Sequence, residues 1–518
     1  MGKNNKSKQQ QQRQQKKGFR MSKRAVWISS AVFVVAAVLL GVVLSRVMDD
    51  SLAPPSVQNR EQNKEQQHQV REYQQRGRGF SAADQTIPGL DDPLYEVTSS
   101  AAVEPLDGTR ARDVCAGGHY TAALDAADAR RVWVWGLVAP GTRVLTRPRA
   151  LDFDADVAEI ACGSFQLLVR TAGNSSSAAG TVFSVGASTD VCHSDEDERE
   201  SESEDVNEDE SGELKVRQVE GLEGAGPVVQ MSAGYNSNAF LAADGALYFQ
   251  GARSHGPFAP GTGSGCLPRA TRAALPPGVT RVRAVSLGSR FTGIVAEDAE
   301  GAEETDAECT RVFFAGTNAF GAMGVAPAAT DAAGGLRAGR WVEAVLPQEQ
   351  RCAVAELACG GDHTLVRAAD GTVLGAGWNE RGQLGTHDRE DRDAFEPLAL
   401  GADAEAAEHP RRVAHAVAGP YSASLVLWDD GTLSVAGSVD SAGRGTDAFE
   451  AVELADGADG RPARVAKAAL GFMHAALLMD DGSVRTFGNG LFGHLGVDAS
   501  LDASQKNNEF TQRWSSDS

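Results

Sequence analysis

The sequence predicts an all-β repeat array carried behind a single transmembrane α-helix. Three observations predict it. A glycine-marked pattern recurs seven times between about residues 94 and 496. Glycine is abundant (57 residues) while aromatics are scarce at 6 %, a balance that favours turns and short strands over long helices. Residues 25–44 run twenty positions without a charge. At 518 residues the chain is too long for one ordinary compact domain unless that domain is a repeat array.

Residues 1–24 form a basic, Gln- and Lys-rich tail with nine bases and no acid. The uncharged run that follows, AVWISSAVFVVAAVLLGVVL, spans a hydrocarbon core of roughly 30 Å at about 1.5 Å of rise per residue. It exceeds the h-region of a signal peptide, and Leu44-Ser45-Arg46-Val47-Met48 is a poor cleavage site. The expectation is an uncleaved transmembrane helix over residues 25–47, meeting the lipid bilayer from Ala25 to Val47. Basic residues precede it, whereas Asp49 and Asp50 follow Arg46 behind it. The positive-inside rule then holds the amino terminus in the cytosol and sends the body across, into the secretory pathway. Mitochondrial inner membrane is the alternative location, although the tail makes an unconvincing amphipathic presequence. Residues 48–92 are polar and charged, too poor in apolar side chains to fold alone, and read as a stalk.

The repeat, over residues 93–496, is clearest in its fifth copy, ELACGGDHTLVRAADGTVLGAGWNERGQLG. An apolar strand ends at Gly360, and Gly-x-x-His leads through His363 into a second apolar stretch. Asp370-Gly371 supplies a hairpin turn, where glycine takes the positive φ. The return strand ends at Gly377, and Asn379 with Gly382-Gln383-Leu384-Gly385 closes the unit. The seventh copy repeats this with Gly471, His474, Asp481-Gly482, Gly488, Asn489, Gly493, Leu495 and Gly496. First glycines of the other copies fall at Gly117, Gly163, Gly234, Gly288 and Gly419.

These residues resemble the regulator of chromosome condensation repeat, whose pattern runs Gly-x-x-His-x-x-x-Leu, Asp-Gly, then Trp-Gly-x-Asn-x-x-Gly-Gln-Leu-Gly. The resemblance implies a seven-bladed β-propeller of four-stranded antiparallel blades. Ring closure suits such units physically, because one blade cannot bury both faces alone. Only copies 5 and 7 keep the histidine; the others place Tyr120, Gln166, Ser237, Phe291 and Ser422 there. His363 and His474 are therefore read as structural side chains that bond backbone between strands, not as ligands. The tail, 497–518, is polar, so the segment from Pro93 to Val97 is expected to complete the last blade.

Within the array, an acidic insertion spans residues 192–212, and eleven acids stand against one arginine over 195–210. Such a block stays solvated and serves as a solubilising loop or a docking strip for a basic partner. Asn174-Ser175-Ser176 makes Asn174 a glycosylation candidate. Cys162 and Cys359 share one place in two repeats and Cys115 sits one residue off it, all read as small apolar residues of inner strands. Cys192, Cys266, Cys309 and Cys352 fall in connecting segments and can pair in an oxidising lumen.

The net charge of −21 repels nucleic-acid backbone, so DNA or RNA is not an expected partner. No nucleophile elbow, P-loop, HExxH or dinucleotide fingerprint occurs. No catalytic residue, metal ligand or cofactor is assigned, and the chain is not read as an enzyme. The expected role is a membrane-tethered protein-interaction scaffold that binds an unidentified protein through propeller loops. The alternatives are an assembly factor of the mitochondrial inner membrane and a guanine-nucleotide exchange factor for a small GTPase, the latter implied by the resemblance alone.

Overall fold

In the computed structural model, described residues are 96–102 and 109–496, apart from 140–141, 143, 174–179, 187–213, 236, 253–265, 299–309, 326–339, 351–352, 401–410, 440–444, 457–459 and 491. The expected basic tail, membrane span, stalk and carboxyl-terminal tail lie outside them, as do Asn174 and the acidic insertion. Among the described residues no helix is long and apolar enough to cross a membrane.

Among the described residues, twenty-eight strands form seven four-stranded antiparallel sheets. Blade 1 holds β2 (Ala111–Ala116), β3 (His119–Asp125), β4 (Arg131–Leu137) and β5 (Leu145–Asp152). Blade 2 holds β6 (Val157–Cys162), β7 (Leu167–Thr171), β8 (Val182–Gly186) and β9 (Lys215–Gln218). Blade 3 holds β10 (Val228–Ala233), β11 (Ser237–Ala242), β12 (Leu247–Ala252) and β13 (Cys266–Arg272). Blade 4 holds β14 (Val279–Leu287), β15 (Phe291–Asp298), β16 (Thr310–Gly316) and β17 (Val342–Glu343). Blade 5 holds β18 (Val354–Cys359), β19 (His363–Ala368), β20 (Val373–Gly377) and β21 (Arg392–Pro397). Blade 6 holds β22 (Val413–Ala418), β23 (Ala423–Trp428), β24 (Leu433–Gly437) and β25 (Thr446–Ala451). Blade 7 holds β26 (Val465–Leu470), β27 (His474–Met479) and β28 (Val484–Asn489), and takes its outer strand from the start of the array, β1 (Glu96–Ala102).

That last pairing is the seam. Glu96 stands opposite Asn489 and Ala102 opposite Arg485, so β1 covers an edge that β28 would otherwise leave open. The strand begins at Glu96, sharing Glu96 and Val97 with the expected segment and running on to Ala102.

The cores lie between blades, which is why no blade is stable alone. Tyr120, Leu124 and Val134 of blade 1 pack with Ile160, Leu167 and Val185 of blade 2. Phe291 and Phe314 of blade 4 meet Leu357 and Val366 of blade 5. Across the seam, Val114 and Trp135 meet Ala476 and Val484. The Asp-Gly hairpins use glycine as the sequence requires, with Gly371 at φ 94° and Gly482 at φ 81°.

Candidate interaction face

In an antiparallel blade the first-to-second and third-to-fourth connections leave from the same end. Among the described residues this end therefore gathers the loops after the seven repeat glycines, two of which are Gly-x-x-His, together with the loops that close the repeats. β28 runs toward this end and β1 runs away from it, so the chain enters the ring here.

The first glycines of the repeats explain themselves at this end. A Cβ on Gly117 would stand 2.6 Å from the carbonyl oxygen of Gly163, and one on Gly163 2.7 Å from that of Gly234. The chain of contacts continues from Gly234 to Gly288, Gly288 to Gly360 and Gly360 to Gly419, and closes from Gly471 back to Gly117. Each glycine lets the next blade's backbone approach. Only Gly419 breaks the series, facing the Leu470 side chain instead.

Gly419 differs because its loop is one residue longer. Its N–H donates to Ala423, whereas Gly360 and Gly471 donate to His363 and His474. Ala423 also pairs with Gly437 just as His363 pairs with Gly377. Ala423, not Ser422, therefore occupies the histidine position of blade 6. Sequence alignment placed Ser422 there because it counted residues from the glycine.

The histidine position reaches sideways. His363 Nε2 lies 2.9 Å from Ser424 Oγ, and His474 Nε2 lies 2.9 Å from Thr121 Oγ1. In blade 2, Gln166 Nε2 donates to Asn238 Oδ1 at 3.1 Å. All three partners stand one place beyond the equivalent position in the next blade. The Thr121 hydroxyl donates its proton to the His494 carbonyl, so it must accept from His474, which fixes the Nε2–H tautomer. Burial holds His363 down to about 4 and His474 to about 3, with His119 adding to the second. Both imidazoles are neutral at physiological pH, in keeping with a structural position.

Around the mouth of the shaft, half-buried rings collect from blades 1, 2, 3 and 7. Phe165 meets Tyr235 edge-on with centroids 5.7 Å apart, and Tyr235 stacks on Phe472 at 6.5 Å. His119 packs on Phe492 at 4.4 Å and on Phe472 at 5.3 Å. Tyr235 and Phe472 belong to blades that are not neighbours, so the rings bridge the opening. Beneath them the shaft encloses a cavity of about 220 Å³, lined by inner-strand residues such as Ser232, Ser286 and Cys359. The opposite side of the mouth is polar, with Arg290 Nη2 2.7 Å from Asp362 Oδ1. Trp378 and Tyr421, 6.1 Å apart, stand above blades 5 and 6. Aromatic edges beside fixed charges give such a face the means to hold protein side chains. His119, Phe165, Tyr235, Tyr421 and Phe472 sit one or two places after the repeat glycines, a regularity visible in sequence but recognisable only once the loops share an end.

Among the described residues no group of His, Cys, Asp or Glu is placed to hold a metal ion. Asp391 is the most perturbed carboxyl: burial raises it to about 7, against a hydrogen bond from the Asn379 N–H, with Glu380, Asp393 and Glu390 adding repulsion.

The cysteines correct one sequence expectation. Cys115 and Cys162 are not separate apolar fillers but a disulfide between blades 1 and 2, with Cα atoms 5.6 Å apart. The one-residue offset that separated them in the alignment turns their side chains toward each other. Cys266 is disulfide-bonded as well. Cys359 is a buried free thiol, pushed up to about 12 by burial. Cys192, Cys309 and Cys352 lie outside the described residues.

Comparison with known proteins agrees with this architecture. Residues 354–383 match the regulator of chromosome condensation (RCC1) repeat family. A mouse protein, the X-linked retinitis pigmentosa GTPase regulator, is 28 % identical over 131 residues, which is 25 % of this chain and 12 % of that protein. Human WBSCR16 superimposes with a TM-score of 0.54 at 19 % identity, over 73 % of this chain and 86 % of that one. Yeast RCC1 (Prp20), solved bound to Kap60, gives 0.51 at 14 % identity, over 73 % and 79 %. Both solved structures share the fold. The chain is thus a seven-bladed β-propeller, one of whose repeats matches the RCC1 repeat family.

Proposed function

We propose that the chain is a membrane-tethered interaction scaffold, non-enzymatic, whose propeller holds a protein partner on its rim face beyond the bilayer. The rim carries this reading: half-buried aromatic rings of four blades meet at one end, beside fixed polar groups and the loops that vary most between repeats. The uncharged run over residues 25–44, with basic residues before it and acids after it, supports tethering and orientation. The disulfides at Cys115, Cys162 and Cys266 support a body that folds in an oxidising compartment.

The test is chemical cross-linking in intact membranes, comparing wild type with Tyr235→Ala and Phe472→Ala. The scaffold reading expects a specific protein adduct that both variants lose while keeping the wild-type unfolding midpoint. An adduct pattern that neither variant changes contradicts the rim as the binding face.

Likeness to a mouse GTPase regulator favours a second reading, in which the partner is a small GTPase. Accelerated release of labelled GDP from a small GTPase by the purified chain would support it. Release at the intrinsic rate would remove exchange and leave binding alone.

A further inference from the structure

The inner strands of neighbouring blades face one another through side chains that alternate in direction. Two places decide each junction. The residue two before the repeat glycine points forward to the next blade, and the residue immediately before the glycine points back. Between blades 1 and 2 these places hold Cys115 and Cys162, which are bonded. Between blades 3 and 4 they hold Ser232 and Leu287, where the Ser232 hydroxyl accepts the Leu287 N–H at 3.0 Å. Between blades 6 and 7 Val417 and Leu470 pack in one apolar cluster.

The junction between blades 4 and 5 is the informative one. Cys359 occupies the same back-pointing place as Cys162, and Ser286 occupies the forward place of Cys115. The Cys359 N–H donates to Ser286 Oγ at 2.9 Å, and the thiol itself is hydrogen-bonded to Ser286. Cys359 thus has its half of the same pair and lacks only a sulfur opposite.

We infer that this pair of places is a disulfide site of the repeat, filled between blades 1 and 2, where it clasps blade 1 beside the seam. The clasp forms by exchange with the disulfide of a dithiol oxidoreductase. The Cys115 and Cys162 thiols give up two protons and two electrons, their sulfurs join, and the oxidoreductase leaves as its dithiol. Blade 1 is then held on one side by this bond. On the other it is held by the seam junction, where His474 meets Thr121. The geometry stands independently of location, but formation in the cell rests on the far-side reading above.

The test uses the full chain in detergent, reduced and then re-oxidised with oxidised glutathione, blocked with a maleimide after denaturation and mapped by peptide mass. The expected result is a peptide pair joining Cys115 to Cys162, with Cys359 alkylated. In Ser286→Cys the same treatment should yield a new linked pair that contains Cys359 and remove its alkylation. Alkylated Cys115 and Cys162 in the refolded wild type would overturn the proposal, and so would an alkylated Cys359 in a folded Ser286→Cys chain. Blocking thiols in living cells before lysis separates the two readings. If Cys115 and Cys162 are alkylated in cells yet close on purification, the site stands and the oxidising location fails.

Discussion

Acid should loosen this ring at its seam. Three imidazoles gather where blade 7 meets blade 1: His119 on β3, His474 on β27, and His494 just after β28. His474 and His494 have centroids 4.4 Å apart, and both are fully buried. Neither ring nitrogen of His494 finds a well-aligned partner. Burial, reinforced by the neighbouring imidazoles, holds His494 well below its ordinary value and His474 at about 3; burial holds His119 at about 4. Tyr120 on β3 is also titratable, and burial raises it. The charges that cross this junction, Lys467 with Asp113 and Arg110 with Asp481, are already paired with each other and do not compensate a protonated ring. In the unfolded chain each histidine binds its proton near pH 6.5. Below that pH the unfolded state holds more protons, so stability is complete above 6.5 and falls with pH until the folded values are reached. Each imidazole that stays neutral costs about 1.4 kcal/mol per pH unit, or about 2 kcal/mol between pH 6.5 and 5. His474 and His494 together then remove about 4 kcal/mol. Glutamine already serves at both positions elsewhere, as Gln166 in blade 2 and Gln383 in blade 5. The double substitution His474→Gln with His494→Gln should therefore keep the fold and flatten the loss. Urea unfolding at pH 7.5, 6.5, 5.5 and 5.0, followed by tryptophan fluorescence, measures the difference. Equal pH slopes in wild type and variant would refute the reasoning.

Other consequences are as direct. Gly360→Ala puts a Cβ 2.6 Å from the Gly419 carbonyl and should cost about 1–3 kcal/mol in urea unfolding, whereas Gly226→Ala, with nothing within 4 Å, should cost almost nothing. Burial raises Asp391 to about 7, so it opposes folding progressively as pH rises from its unfolded value near 3.8, and the full penalty is reached above 7. Asp391→Asn should raise Tm at pH 8 and lose that advantage as pH falls to about 4, where the carboxyl of the unfolded chain is protonated as well. A chain beginning at residue 103 lacks β1 and exposes the outer edge of β28; it should self-associate in light scattering, while a chain beginning at residue 93 should not.

Most of the ring was legible because its repeat is written in backbone requirements. Glycines at the inner-strand ends and Asp-Gly at the hairpins are needed wherever the next blade's carbonyl approaches or φ turns positive, so they persist as neighbouring side chains drift. Closure was legible because the sequence after residue 496 is too polar to read as a strand, whereas the start of the array reads as one. What escaped the sequence depends on contacts between repeats. The Cys115–Cys162 bond is invisible to an alignment that places equivalent residues together, because facing strands pair through the offset position. The longer loop of blade 6 shifted Ser422 into a place that hydrogen bonding gives to Ala423. The rim aromatics Phe165, Tyr235 and Phe472 lie 70 to 307 residues apart in the chain, and become one surface only through closure of the ring.

The account's central claim is that the propeller stands across a membrane from the chain's amino terminus. Protease protection tests it most directly, on sealed membranes carrying one tag before Lys3 and another after Ser518. The account predicts that protease removes the first tag and spares the second until detergent opens the membrane. Digestion of the second tag on sealed membranes, or its release with the soluble fraction, would contradict it.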